Sequence, residues 1–273
     1  MPTHVDLYNN AYARVEHDLY RQVRTETYGQ DLGQTSWVTS DESDRVPELL
    51  NLNRDSNVLE IGSGSGLYAL HLARRIGCHI TGLELNPNAI ATSRLLASVD
   101  GPSQLANFQQ CDASQPLHFA AGAFHAAFAN DVVCHIPGRA RLLEEIFRVL
   151  RPGARLLFSD ALIVGGLISH NELATRSSIG PYFFSPPGEN ERLLTVTGFT
   201  VLSVHDTSVE AAGIAQRWHD ARERHRDQLI ALEDTPDNLG RFDGLQRFLS
   251  CVYTLTSERR LLRHLYLAEK PHP

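Results

Sequence analysis

The sequence predicts an α/β fold built around a parallel β-sheet. Two observations carry that expectation. From about residue 58 short apolar runs alternate with helical patterns, and the first run, Val58-Leu59-Glu60-Ile61, passes straight into the turn Gly62-Ser63-Gly64-Ser65-Gly66 before a helix begins. Composition is the third support: 273 residues, 42% hydrophobic and 21% charged, can bury a full core and fit neither a disordered nor a fibrous chain. At that length one domain over 1–273 is expected.

The elements follow in order. Between Val5 and Thr27 the side chains of Tyr8, Tyr12, Val15, Leu19 and Val23 recur at steps of three and four, which predicts one amphipathic helix. A polar link, Gly29 to Gly33, leads to Trp37, and a second helix is expected from Ser40 or Asp41, whose acids suit a helix N-terminus, to before Asn53. Strands are then predicted at Val58–Ile61, His79–Glu84, Phe108–Cys111, Ala123–Ala129 and Ala154–Ser159. Between them lie helices at Gly66–Ile76 and Pro87–Val99, the latter opened by an allowed early proline, and one with Leu142, Leu143, Ile146, Phe147 and Leu150 inward. The Arg151-Pro152-Gly153 turn should end that last helix. Such alternation implies parallel crossover units.

After Asp160 the alternation breaks into a Gly-, Ser- and Pro-bearing stretch to Gly188, with a helical piece at Asn171–Ser178 and an aromatic cluster at Tyr182, Phe183 and Phe184. A long loop of this kind reads as an insertion over the active edge of the sheet. Beyond it the pattern predicts a helix at Gly188–Val196, a strand at Phe199–His205 and a long helix at Val209–Leu232. A Pro/Asp/Asn/Gly loop, a helix at Phe242–Thr256 and a last strand at His264–Ala268 complete the chain.

Charge and cysteine usage exclude several functions. A net charge of −7 argues against affinity drawn from nucleic-acid phosphates or anionic lipid. Cys78, Cys111, Cys134 and Cys251 are scattered, with no Cys-x-x-Cys pair, and the thirteen histidines form no His-x-x-x-His pair, so neither a disulfide framework nor a metal site is expected. The polar start MPTHVDLYNN and the lack of an apolar span of roughly 20 residues predict a cytoplasmic chain that does not engage membrane.

The glycine turn is the most informative run. Glycine permits a sharp strand-to-helix turn and close approach of backbone to a ligand, although dinucleotide folds use related turns. Glu60 lies two positions before Gly62, and no Gly-Lys-Ser/Thr ending follows, which disfavours a phosphate-binding loop. Glu84 ends the second strand, where a carboxylate can accept from both hydroxyls of a ribose. Asp112 follows the third strand, placed to accept from an adenine amino group, with Leu85 and Ala113 as apolar contacts to the ring. Alone, either acid is a turn residue; three acids at successive strand ends suggest one site.

Together the run 58–66, Glu84, Asp112 and the Leu150-Arg151-Pro152-Gly153 turn resemble the class I S-adenosylmethionine-dependent methyltransferases. The resemblance covers about 50–160 strongly and the strands near 199–205 and 264–268 weakly. It implies a Rossmann-like seven-stranded sheet with the last strand antiparallel and helices on both faces. It implies S-adenosylmethionine as cofactor, leaving S-adenosylhomocysteine as product, with Glu60, Gly62, Gly64, Gly66, Glu84, Leu85, Asp112, Ala113 and Asn130 as cofactor residues. The N-terminal helix, the Gln-Thr-Ser-Trp segment at 34–37 and the insertion after Asp160 look most like the small-molecule branch, which includes glycine-sarcosine, sterol and quinone-type enzymes. Asn130-Asp131-Val132-Val133 stands where an Asn-Pro-Pro-Tyr signature would mark an enzyme of DNA or protein glutamine. The expected division is an N-terminal helical lid at 1–45, a cofactor-binding half at 46–160, a lid insertion at 161–190 and a C-terminal part of the sheet with a long helical insertion at 191–273.

Methyl transfer from a sulfonium requires alignment, and a protonated nucleophile needs a base. The candidates are His135, whose ordinary pKa suits the role, and Asp160 after the fifth strand, which could instead orient its loop. Tyr28, Trp37, Tyr182, Phe183 and Phe184 are expected to wall the acceptor pocket, while the spacing of Tyr8 and Tyr12 fits packing better. Glu172 and Arg176 lie four apart and are expected to pair, with Arg176 becoming a clamp if the acceptor carries a carboxylate. Rival readings are a NAD-dependent oxidoreductase, a cofactor-binding module without turnover, and C-methylation that triggers cyclisation or rearrangement. The N-terminal helix could also support a homodimer.

Overall fold

The structure is a computed structural model that describes residues 7–99, 104–235 and 239–273. Val5, where the first helix was expected to begin, and positions 236–238 of the Pro/Asp/Asn/Gly loop lie outside the described residues. The N-terminal periodicity resolves into two helices rather than one, α1 (Leu7–Ala13) and α2 (Asp18–Tyr28). His17 breaks the run: its side chain caps α2 by accepting from Leu19 N at 3.2 Å. The buried guanidinium of Arg24 then reaches back to the carbonyl of Val15 within the break, while it also bonds Asp31 at 2.7 Å. A shared face of apolar residues survives a kink, so periodicity alone could not reveal it.

From α3 (Ser40–Leu49) the alternation runs as expected through β1 (Asn57–Ile61), α4 (Leu67–Ile76), β2 (His79–Glu84), α5 (Pro87–Val99), β3 (Ala106–Gln110), β4 (Phe124–Ala129) and α6 (Arg139–Val149). Next, β5 (Leu150–Val164) absorbs the Arg151-Pro152-Gly153 turn and continues past Asp160, where a break was expected. The turn becomes a bulge: β4 pairs Phe124 with Leu150 but Ala126 with Arg155. The extension of β5 is held by Ile163 and Val164 pairing with Leu262 and Leu261. The remaining elements are α7 (His170–Arg176), α8 (Glu189–Thr197), β6 (Thr200–Asp206), α9 (Ser208–Arg224), α10 (Arg226–Glu233), α11 (Arg241–Ser257) and β7 (Leu261–Glu269). The expected long helix over 209–232 is thus two, parted at His225, whose ring lies 2.8 Å from Glu26.

The strands form a seven-stranded sheet in the order β3-β2-β1-β4-β5-β7-β6, with β7 antiparallel to both neighbours. The last strand is antiparallel, as the resemblance implied. One layer of core packs α6 and α8 on the sheet through Leu142, Ile146, Leu193 and Phe158; the other packs α4 and α5 through Leu70, Leu72, Ile90 and Phe128. A third cluster joins Leu19 and Val23 of α2 to Ile214 and Trp218 of α9 and Phe248 of α11. The apolar face of the N-terminal helices is therefore used inside the chain. Among the described residues no helix is long and apolar enough to cross a membrane.

Candidate active site

The strand order reverses between β1 and β4, because the chain leaves β1 toward β2 on one side and returns to β4 on the other. Connections that part in this way open a crevice beyond the carboxyl ends of the strands. Here that crevice is a cavity of about 540 Å³, within the usual range of small-molecule sites. Its floor is the 60–65 turn with Glu84, Asp112 and Asn130–Val132; its roof is Tyr8, Asn9 and Tyr12 of α1, the 32–36 loop, and Ile179–Pro181.

Glycine is required at two positions of the floor. A Cβ on Gly62 would stand 2.3 Å from Val132 Cγ2, and one on Gly64 would lie 3.2 Å from the Tyr12 ring; both residues have positive φ. Glu84 Oε2 accepts from Gly64 N at 3.0 Å and its Oε1 from Asn86 N at 2.8 Å, so the second-strand acid is locked to the turn. Burial still lifts the Glu84 carboxyl above its ordinary range. Glu60 is more extreme: it is 4% exposed, its Oε2 has no partner, and burial followed by the nearby Glu84 charge pushes it up to about 8. Asp112 is exposed, and its bonds to Ser114 hold it below the usual carboxylate range.

Above the floor, His135 sits in a 3₁₀ turn, Val133–His135, directly after β4. Its Nδ1 lies 3.1 Å from the carbonyl of Pro181 and its Nε2 3.0 Å from the Tyr8 hydroxyl. A carbonyl only accepts, so Nδ1 carries the proton, Nε2 is the free base, and Tyr8 donates to it. Burial depresses His135 to about 4 and raises Tyr8 well above its ordinary value, so both are neutral at pH 7. The Tyr182 hydroxyl bonds both Tyr8 and Arg176. Arg176, Tyr182, Tyr8, His135 and the Pro181 carbonyl are thus joined in one hydrogen-bonded network.

Residues 59–158 match the family model described as "Methyltransferase domain". The O-methyltransferase rstn1 of Aspergillus nomiae is 30% identical over 167 residues, 60% of this chain and 74% of that protein. The chain belongs to the S-adenosylmethionine-dependent methyltransferases. A glycine/sarcosine/dimethylglycine N-methyltransferase of Actinopolyspora halophila is 25% identical over 227 residues, 75% of this chain and 38% of that protein. The chain spans half or less of the first curated relatives it matches, 50% and 38% of their lengths. The same fold occurs in the [4+2]-cyclase SpnF, with a TM-score of 0.72 at 20% identity over 100% of this chain and 97% of that one.

Within this methyltransferase the floor gathers Glu60, Gly62, Gly64, Glu84, Leu85, Asp112, Ala113 and Asn130 around one cavity. Gly66 stands apart from the cavity and caps α4, where a Cβ would meet Phe108 and Ser93 at 2.7 Å. The acceptor side departs further from expectation. Asp160 is fully buried away from the cavity and ion-paired to Arg139 at 2.7 Å, with further bonds from Asn190, Ser185 and Leu162 N, so it is no free base or substrate contact. Glu172 and Arg176 do not pair: Glu172 bonds Arg260 at 2.7 Å, while Arg176 turns inward to 1% exposure. Phe183 is exposed, Phe184 packs against the cluster of Leu162 and Leu255, and neither borders the cavity. Tyr28 and Trp37 are core residues, Tyr28 donating to Ser36 O at 2.8 Å.

Tyr8 and Tyr12, expected to be packing residues, instead form the cavity wall beside His135. Asp131 was missed altogether. It lines the cavity in a left-handed conformation, φ 56, and receives bonds from Trp37 N, Ser159 Oγ and Arg263 Nε at 2.8, 2.9 and 2.9 Å. Its signal in the sequence was the Asn130-Asp131 pair at a strand end, since Asn and Asp tolerate that backbone region best after glycine.

Proposed function

We propose that this methyltransferase transfers a methyl group from S-adenosylmethionine to a nucleophilic atom of a small molecule, with Tyr8 and His135 taking that atom's proton. The observation that carries the reading is the 3.0 Å contact of Tyr8 with the unprotonated Nε2 of His135 on the cavity wall. The cofactor fits the floor by its chemistry. The orphaned Oε2 of Glu60 suits its cationic amino group, the turn leaves space where side chains would collide, and Glu84 and Asp112 keep lone pairs for hydroxyl and amino donors. Bound S-adenosylmethionine supplies an electrophilic methyl group on a sulfonium.

The chain's own residues do the rest. Glu60, Glu84 and Asp112 fix the cofactor's orientation, and Leu85 and Ala113 flank its ring. Tyr8 accepts the acceptor's proton on a lone pair while passing its own to His135, whose imidazolium is then stabilised by the Pro181 carbonyl. Of the lengths 1–45 and 161–190 expected to form a lid, the described residues serve as one, since Tyr8, Tyr12, Ile179 and Pro181 roof the cavity.

The test is incubation with methyl-labelled S-adenosylmethionine and a metabolite extract of the source cells. Label recovered in a low-mass product supports the reading; label found only in protein or nucleic acid overturns it. SpnF gives a second reading a specific basis, because its fold spans this whole chain. A cyclised or rearranged product carrying the label on carbon would select that reading, C-methylation that triggers cyclisation or rearrangement, instead.

A further inference from the structure

Arg176 is the least explained charge in the molecule. It lies in the last turn of α7, is 1% exposed, and its guanidinium stacks over Tyr182, Phe248 and Trp37 at 4.5, 5.2 and 5.8 Å. One hydrogen bond reaches Tyr182, yet Nε and Nη1 have no partner. Among the described residues no carboxylate pairs with it, because the nearby acids are committed elsewhere: Asp160 to Arg139, Asp131 to Arg263 and Glu172 to Arg260. A buried cation with two idle donors is costly unless an anion arrives to meet it.

The surroundings provide a place for that anion. A void of about 10 Å³ is bordered by Arg176, Trp37, Tyr182, Tyr8 and His135, and by Asp131, whose charge is met by Arg263. Tyr8 and His135 also wall the main cavity, so the void lies against the proton-accepting pair. Its volume holds roughly one water, and it adjoins the main cavity, since Tyr8, Thr35, Ser36, Asp131, His135 and Ile179 border both. A guanidinium presents a planar fork that matches two oxygens of a carboxylate or phosphate.

We propose that Arg176 anchors an anionic group, carboxylate or phosphate, of the methyl acceptor, holding its nucleophilic end toward Tyr8. The inference rests on the small-molecule methyl-transfer reading and narrows its acceptor to anionic compounds. It also accounts for the aromatic walls, which shelter the guanidinium from water without neutralising it.

Trp37 and Trp218 are the chain's two tryptophans, their rings are 6.0 Å apart, and both border the void, so intrinsic emission reports on this spot. The protein, loaded with S-adenosylhomocysteine, is titrated with acetate and with inorganic phosphate at constant ionic strength, with acetamide and chloride as controls. Expected is a saturable emission change with at least one oxyanion, flat traces for the controls, and binding about tenfold weaker in Arg176→Met with Arg176→Lys between. Which oxyanion saturates assigns carboxylate or phosphate. No saturable response beyond chloride, an equal response to acetamide, or an unchanged response in Arg176→Met overturns the proposal. Should Arg176→Met fail to fold, the wild-type preference for acetate over acetamide and the Arg176→Lys titration decide. Calorimetry of S-adenosylhomocysteine binding separates the two levels: its absence in the wild type sinks the methyl-transfer reading, its presence without oxyanion binding sinks only the anchor.

Discussion

The Tyr8 hydroxyl meets His135 Nε2 at 3.0 Å, joining residues 127 positions apart in the chain. Neither partner alone makes a base. Tyr8 is too weakly acidic in its buried setting, and His135 acquires a defined tautomer only because Pro181 fixes Nδ1–H. The pair joins the N-terminal helix to the end of β4, so the proposed proton acceptor is complete only when α1 is docked.

Tyr8→Phe and His135→Asn should therefore lower kcat by about 10²–10⁴ while leaving S-adenosylhomocysteine affinity near wild type. Phenylalanine keeps the edge-on ring contact with His135, so a fall in Tyr8→Phe isolates the hydroxyl. The pH profile supplies a second readout. His135 is depressed to about 4, so the free base is present throughout neutral and mildly acidic pH. At saturating cofactor, kcat/KM for the acceptor should show its acid limb near that value; a limb at the ordinary histidine pKa would remove His135 from the role.

Glu60 makes a different pH prediction. Its folded value of about 8 lies above the ordinary carboxyl range, so without cofactor the group is protonated at pH 7. A cationic amine beside it favours the carboxylate, and cofactor binding at pH 6–7 should release a proton, seen as an enthalpy that changes with buffer ionisation heat. The sign for stability follows. A raised folded pKa contributes stability present below the unfolded value of roughly 4.3 and lost as pH rises through about 8. Glu60→Gln should flatten that part of the melting-temperature profile and abolish the proton release. Buffer-independent binding in the wild type would contradict the assignment.

The fold of the half expected to bind the cofactor was legible because its signal is local. The strand, the 62–66 turn and the acids at Glu84 and Asp112 lie at fixed steps along a repeating α/β unit, and each step maps to a strand end in the sheet. The acceptor half was not, because its residues meet only through tertiary contact. Helical spacing marked Tyr8 and Tyr12 as packing, yet the break at His17 turns α1 onto the cavity. The Glu172–Arg176 spacing suited an exposed pair, but a more remote cation, Arg260, takes Glu172 and leaves Arg176 to the aromatic cage. Asp160 was misjudged for a related reason: β5 runs on past it, so the residue lies within a strand instead of at its end.

A lid built from the roofing segments predicts a change in protease access. S-adenosylhomocysteine should protect the bonds of 5–40 and 161–190, of which positions 5 and 6 fall outside the described residues, while cleavage elsewhere stays constant. Tyr12 lies over Gly64, and Ile179 to Pro181 close the other side, so contact with a filled cavity would damp opening of both. Equal cleavage rates with and without the ligand would show that neither segment closes over it.

Arg263 of β7 makes the strongest stability prediction. Its side chain is fully buried, donates to Asp131 Oδ1 at 2.9 Å, and holds Glu42 of α3 through two bonds of 2.9 Å. Asp131 in turn accepts from Trp37 N at 2.8 Å, so one guanidinium ties α3, the end of β4 and the 32–38 segment that roofs the cavity. Arg263→Met fills similar space but strands the carboxylates of buried Asp131 and half-buried Glu42, a loss of about 3–5 kcal/mol, measurable by urea denaturation. Asp131→Asn should cost much less, because asparagine tolerates the left-handed backbone at φ 56 and Arg263 keeps Glu42. The combination Arg263→Met with Glu42→Gln and Asp131→Asn should recover part of the loss, since it removes the stranded charges and keeps their shape. A triple variant no more stable than Arg263→Met would show that the guanidinium acts through packing alone.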